Sequence, residues 1–280
     1  MEIKGSTNIV GLIGHPVEHS FSPPMHNAAF KKLNMDYIYT AFDVDPLNLK
    51  ESIKGAQALN IKGLNVTIPH KIEVMQYLDE IDEVASLIGA VNTIDFKNLK
   101  GYNTDGIGAV KAIEEVTNIK NKKVVIAGAG GASRAISFYI AKYGADSLEI
   151  LNRNVDKAQM LSNEVLSSEL IDNVNFASIK DLNLDDADIL INTTPVGMHP
   201  NVDDTPIASA GDMHEDLVVF DAVYNPNETG LLKQAIEANA KPVYGIKMLL
   251  YQGAESFEIW TGKKAPIDVM QEALTKTLGL

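Results

Sequence analysis

A short apolar strand, Lys123–Ala127 (KVVIA), runs directly into Gly128-Ala129-Gly130-Gly131-Ala132-Ser133 and then into a helical pattern. Such a strand–turn–helix can cradle a dinucleotide. Gly128 permits the tight turn, Gly130 lets the backbone approach a pyrophosphate, and small Ala132 and Ser133 let helix and strand pack closely. The helix start then offers N–H groups to phosphate oxygens. The third fingerprint position is Ser133, not Gly or Ala. A Gly-rich turn alone is weak, because glycine also serves purely structural turns. The next strand ends in Asn152-Arg153-Asn154, where an NAD site expects an acid. Arg153, planar and always charged, suits a ribose 2′-phosphate, and Lys157 adds a second cation one turn on. That favours NADP. The two cations read equally well as a solvated helix start, and Asp156 keeps NAD open.

Three segments of the first half place polar side chains where strands end. In HPVEHSFSP (His15–Pro23), Ser20 and Ser22 follow a strand and precede a helix. Their hydroxyls could hold a carboxylate, although Ser22 before Pro23 is also a good N-cap. In Asn65-Val66-Thr67-Ile68-Pro69-His70-Lys71, Asn65 and Thr67 share one strand face. Lys71 is expected to open a helix, where the macrodipole disfavours a cation. The third segment holds Val91-Asn92-Thr93-Ile94 and, after a turn, Gly101-Tyr102-Asn103-Thr104-Asp105-Gly106. Asp105 reads either as a turn aspartate or as the partner of Lys71 in a substrate cleft. Taken singly, each segment has an ordinary structural explanation. Their joint presence beside a dinucleotide turn is the informative feature.

The elements that must position these residues alternate along the chain, which predicts an α/β class. Strands are expected at Ile9–Ile13, Tyr37–Phe42, Gly63–Ile68 and Ala90–Asp95. Helices are expected at Pro23–Leu33, Leu47–Leu59 and Lys71–Tyr77, with a short one at Val84–Ile88. A second series follows: strand Lys123–Ala127, helix Gly131–Lys142, strand Leu148–Leu151, helix Val155–Ser167, then strands Val174–Ala177, Ile189–Asn192 and Val218–Asp221. Helix Gly230–Ala238, strand Pro242–Tyr244 and tail helices Met248–Trp260 and Ile267–Leu278 complete it. Trp260 and Phe257 read as core. The expected boundaries lie at the GYNTDG turn and near Gly245. They give a substrate domain of residues 1–104 plus 246–280 and a Rossmann-like domain of residues 105–245.

The 280 residues carry 37 acids against 24 Lys and Arg, a net charge of -13. That argues against nucleic acid or an anionic membrane as the main partner. No cysteine is present, which excludes disulfide and thiolate chemistry. The N-terminus does not read as a signal peptide and no apolar run reaches membrane-spanning length. A cytoplasmic location is expected. The histidines do not cluster with acids at ligand spacing, so no metal is expected.

The ordered stretches HPVEHSFSP, GLNVTIPHK, GAVNTI, GYNTDG, AGAGGAS, LNRN, NTTPVGM, FDAVYNP and MLLYQGAESFEIWTG resemble the shikimate dehydrogenase family over nearly the whole length. The resemblance implies NADP-dependent, reversible reduction of 3-dehydroshikimate to shikimate in aromatic amino-acid biosynthesis. It implies Lys71 and Asp105 as the catalytic pair. It implies Ser20, Ser22, Thr67, Asn92, Tyr224 and Gln252 as substrate contacts, and the neutral polar side chain of Asn65 is expected to join them. Gly128, Ala129, Gly130, Gly131 and Ala132 match the pyrophosphate turn, and Asn152, Arg153 and Lys157 the group around the 2′-phosphate. Glu83, Ala222 and Gly245 occupy further cofactor positions. The chain departs from the family pattern at Asn154, Lys247 and Ala222. A quinate/shikimate dehydrogenase using NAD and a silent NADP-binding regulator are the alternatives. The expected partner is the small-molecule substrate; a homodimer is compatible with the reading, and the sequence does not fix the oligomeric state.

Overall fold

The structure, a computed structural model, describes residues 3–279. Two compact units emerge from its contacts. The first runs to Thr104 and resumes at Gln252. It begins with β1 (Asn8–Gly14), α1 (Ser22–Lys32), β2 (Tyr37–Asp43), α2 (Leu49–Ala58) and β3 (Gly63–Val66). Then come β4 (Glu80–Ile81), α3 (Glu83–Ile88), β5 (Thr93–Asp95) and β6 (Lys100–Tyr102). The sheet order is β2-β1-β3-β5-β6-β4. β1 pairs in parallel with β2 and β3, while β5 runs antiparallel to both β3 and β6. A strand buried on both faces reads as a continuous apolar run, and β1 from Val10 to Gly14 is buried throughout. Ile53, Leu64, Val74, Val91 and Ile94 pack into one apolar cluster.

The second unit starts at Asp105. It contains α4 (Asp105–Glu114), β7 (Lys123–Ala127), α5 (Gly131–Lys142), β8 (Ser147–Asn152), α6 (Val155–Leu166) and β9 (Val174–Ser178). β10 (Ile189–Asn192), β11 (Val218–Asp221), α7 (Gly230–Glu237) and β12 (Lys241–Tyr244) follow. The sheet, in order β12-β11-β10-β7-β8-β9, is parallel throughout. Every strand C-terminus therefore lies along one edge, the edge where α/β sheets bind ligands. The last helices are α8 (Gly245–Thr261) and α9 (Ile267–Leu278), and α9 packs on α1.

The second series matches the sequence expectation to within a residue or two, apart from an earlier start of α8. The first series adds the short strand β4, which was not expected, and departs in three further places. Residues Glu73–Tyr77 form a 3-10 helix, so Lys71 does not open an α-helix. The carbonyl of Lys71 accepts the Val91 N–H, and the Met75 N–H turns to Ile72 instead. The macrodipole argument therefore does not bear on Lys71. The strand expected from Ala90 begins only at Thr93, because the N–H groups of Val91 and Asn92 bond to Lys71 and Tyr102 on different neighbours. The GYNTDG segment is not one turn: Gly101 and Tyr102 end β6, and Asp105 opens α4.

Candidate active site

Ser22 is the first residue of α1, and the N-cap position belongs to Phe21. Ser22 is therefore not the cap that the sequence allowed. Its N–H donates to the Ser20 Oγ at 3.2 Å, so Ser20 supplies the local turn bond. Ser22, 8% exposed, does not cap the helix; its side chain hydrogen-bonds Tyr39 instead. β3 then delivers Asn65, and the chain continues through Thr67 to the Lys71 turn. Thr67 donates its N–H to Ile13 at 2.9 Å and accepts the His70 N–H at 3.0 Å. Buried His70 donates Nε2–H to the Val44 carbonyl at 2.8 Å. Together with the Val91 bond to Lys71, these contacts fix the backbone on both sides of the lysine.

Beneath this turn lies a buried polar network. Asn65 Nδ2 donates to Thr93 Oγ1 at 3.0 Å and to Ser256 Oγ at 2.9 Å, while its Oδ1 accepts the Tyr39 hydroxyl at 2.8 Å. Asn92 Oδ1 accepts the Thr104 N–H at 2.7 Å, and its Nδ2 donates to Thr104 Oγ1 at 3.0 Å. Ser256 Oγ closes back on the Gln252 carbonyl at 3.0 Å. Buried polar groups must be paired, and here neutral amides and hydroxyls pair with one another. Asn65, Asn92 and Gln252 thus share one network, which also takes in Tyr39, Thr93, Thr104 and Ser256. Thr93 and Thr104 belong to the polar segments the sequence had marked; Tyr39 and Ser256 were not singled out. Ser256 lies four residues after Gln252, on the same helix face, and that spacing was the one local signal for it.

In the second unit the glycine turn is open where a phosphate would need it to be. Gly128 has φ +114°, and a Cβ there would lie 2.3 Å from Thr193 Oγ1. A Cβ on Gly130 or Gly131 would meet nothing within 4 Å. No side chain caps α5, and an uncapped helix start beside two open glycines is suited to an anion. Ser133, the departure from the fingerprint, is fully buried and donates its hydroxyl to the Gly128 carbonyl at 2.7 Å. It locks the turn that a smaller residue would leave unbonded.

Asn152, Arg153 and Lys157 stand at the adjacent strand end, since Ala127 of β7 pairs with Leu151 of β8. Arg153 and Lys157 are exposed. Asn154 caps α6 by accepting the Lys157 N–H at 3.2 Å. These residues fit a phosphorylated dinucleotide. Ala222, Tyr224 and Gly245 follow β11 and β12 along the same edge. Gly245 sits so close that a Cβ would lie 2.6 Å from the carbonyls of both Asp221 and Val223. Lys247, where the family often has Gly, forms an ion pair with Glu115 at 3.2 Å. Glu83 opens α3 in the first unit and is exposed.

Asp221 was also missed. It is fully buried and accepts hydrogen bonds from Asn192 Nδ2 at 2.9 Å, the Val223 N–H at 3.1 Å and Thr229 Oγ1 at 2.6 Å. Burial pushes its carboxyl up to about 6 despite these donors. It anchors the segment that carries Ala222 and Tyr224. Among the described residues no group of three His, Cys, Asp or Glu side chains could hold a metal, and no helix is long and apolar enough to cross a membrane.

Residues 12–94 match the model of the shikimate dehydrogenase substrate binding domain, and residues 110–227 that of shikimate / quinate 5-dehydrogenase. Residues 245–275 match the shikimate 5'-dehydrogenase C-terminal domain. A shikimate dehydrogenase (NADP(+)) of Methanobrevibacter smithii is 68% identical over 99% of this chain and 100% of its own. A crystal structure of a shikimate dehydrogenase in complex with NADP+ is 53% identical with a TM-score of 0.94, covering 99% of this chain and 98% of its own. The Listeria monocytogenes shikimate 5-dehydrogenase, in complex with shikimate and NAD, is 38% identical with a TM-score of 0.93, covering 98% of both chains.

Proposed function

The chain belongs to the shikimate dehydrogenase family, and from that premise we propose that it reduces 3-dehydroshikimate reversibly to shikimate with NADPH, the step that feeds aromatic amino-acid biosynthesis. NADPH supplies the hydride when bound. The chain supplies position and the proton. We assign Lys71 to deliver a proton to the substrate oxygen in reduction and to accept it in oxidation, with Asp105 sharing that duty. Ser20 and Ser22 are assigned to the carboxylate of the substrate. Asn65, Thr67, Asn92, Tyr224 and Gln252 are assigned to its hydroxyl and ketone side. A site of neutral amides and hydroxyls suits a small polyhydroxylated acid, and it rejects analogues lacking a hydroxyl because a buried partner is then left unpaired.

The observation that carries this reading is the frame around Lys71. Its carbonyl holds the Val91 N–H, and the next residue, Asn92, holds the Thr104 N–H. The chain passes from Thr104 straight into Asp105. The backbone at Lys71 and the residue that precedes Asp105 in the sequence are thus both bonded to the Val91-Asn92 segment, which supports the assignment. Gly128 to Ala132 are assigned to the pyrophosphate, Asn152, Arg153 and Lys157 to the 2′-phosphate, and Glu83, Ala222 and Gly245 to further cofactor contacts. The functional division assigned here is 1–104 with 246–280 for substrate and 105–245 for cofactor. A cytoplasmic location belongs to the same reading, and a homodimer is compatible with it.

Initial rates at the nicotinamide absorbance band, with shikimate or quinate paired with NADP or NAD, test this directly. The highest kcat/KM is expected for shikimate with NADP. Preference for quinate with NAD would move the chain to the alternative activity, and silence with all pairings would leave a cofactor-binding regulator.

A further inference from the structure

We propose, resting on the function assigned above, that Tyr39 is a positioning residue that sets Asn65 to meet the substrate as a hydrogen-bond acceptor, and so selects a hydroxyl at that point. Tyr39 lies on β2, the edge strand of its sheet, yet it is only 2% exposed. An edge strand leaves outward N–H and C=O groups without a ladder partner. Here the Asn27 amide of α1 takes both: Nδ2 donates to the Tyr39 carbonyl at 2.9 Å, and Oδ1 accepts the Tyr39 N–H at 2.9 Å. The phenol ring is held as firmly. The His26 imidazole stacks on it at 4.4 Å with an interplanar angle of 1°, and Trp260 lies against it at 6.1 Å.

His26 is fully buried, and neither ring nitrogen has a hydrogen-bond partner. Burial pulls its pKa down to about 3, so the stacked ring is neutral. Toward β3 the Tyr39 hydroxyl donates to Asn65 Oδ1 at 2.8 Å, and it also shares a hydrogen bond with the Ser22 side chain.

The bond to Asn65 fills one of the two acceptor sites of the Asn65 oxygen and reinforces the orientation its nitrogen takes toward the Asn92 carbonyl. A side-chain amide has two N–H donors and two acceptor lone pairs. Both donors are spent on Thr93, Ser256 and, at 3.3 Å, the Asn92 carbonyl, and one lone pair is spent on Tyr39. One acceptor site remains. A ligand hydroxyl can donate to it; a ketone or carboxylate cannot. Without the phenol, nothing on the Tyr39 side distinguishes the two ends of the amide.

Tyr39→Phe keeps the ring, the stack and the Asn27 clamp. The assay is steady-state kinetics with shikimate and NADP, in wild type, Tyr39→Phe, Asn65→Ala and the double variant. Losing one such hydrogen bond is expected to raise the KM for shikimate about three- to tenfold, with the KM for NADP and kcat little changed. In the Asn65→Ala background the Tyr39 effect is expected to shrink to the part carried by the Ser22 contact. Should Asn65→Ala fail to fold, Asn65→Ser supplies the same cycle. An unmoved shikimate KM in Tyr39→Phe, an equal factor in both backgrounds, or equal shifts in both KM values would overturn the role. Wild-type turnover in the same assay separates the two ideas: an active wild type with an indifferent Tyr39→Phe removes the positioning role alone, whereas a silent wild type removes the function and this inference with it.

Discussion

Asn92 Oδ1 accepts the backbone N–H of Thr104 at 2.7 Å. The two residues lie 12 positions apart, both buried to 3% exposure or less. One side-chain amide therefore holds the last residue before Asp105 against the residue that leads into β5. Substituting Asn92→Ala leaves the Thr104 N–H buried and without that acceptor. A loss of about 1–3 kcal/mol is expected, read as a lower denaturant midpoint, together with a fall in turnover. An unchanged midpoint would show that the bond does not organise this segment.

The two ends of the glycine turn separate folding from cofactor binding. Gly128→Ala places a Cβ 2.3 Å from Thr193 Oγ1 at φ +114°, so the expected effect is a destabilised protein as well as weaker NADP binding. Gly130→Ala meets no neighbour within 4 Å and should fold with wild-type stability while losing NADP affinity, because the methyl enters the phosphate cradle. Thermal unfolding with and without NADP measures both. Equal behaviour of the two variants would contradict the cradle.

Asp221 makes stability depend on pH with an inverted sign. Its ordinary value of 3.8 is raised to about 6 in the fold. Between these values the folded state holds a proton that the unfolded chain releases, so this group's contribution to stability is largest in acid and falls as pH rises through the window. The change is about 3 kcal/mol. Asp221→Asn cannot titrate. The stability of wild type minus that of Asp221→Asn should therefore decline from pH 4 to pH 7 by up to about that amount. Parallel pH–stability curves would refute the raised value.

Arg153 is exposed at the end of β8, with room to take a phosphate in bidentate fashion. Arg153→Ala is expected to raise the KM for NADP at least tenfold while moving that for NAD by about twofold or less. Equal losses for both cofactors would place the 2′-phosphate elsewhere.

How much of this was legible before the fold was known depends on the range of the interactions. The glycine turn was readable because a buried strand, a breaker and a helix start lie within a dozen residues. Asn65, Asn92 and Lys71 were readable as polar residues near strand ends. Their support was not. Ser256 reaches Asn65 across 191 positions, and Tyr39 reaches it across 26, with no local pattern to announce either contact. The helix expected at Lys71 failed for the same reason, since its carbonyl is taken by Val91, a partner no periodicity reveals. Ser22 illustrates the reverse case: Pro23 made it look like a cap, but the cap position belongs to Phe21.

The central claim is that this chain moves a hydride between shikimate and NADP with Lys71 handling the proton. The most direct measurement is the rate of NADPH appearance from shikimate and NADP for wild type and for Lys71→Ala, each shown to be folded. Sustained turnover by wild type and a loss of about 100-fold or more in kcat for the variant are expected. A folded wild type that forms no NADPH, or a Lys71→Ala variant with an unchanged kcat, would contradict the account.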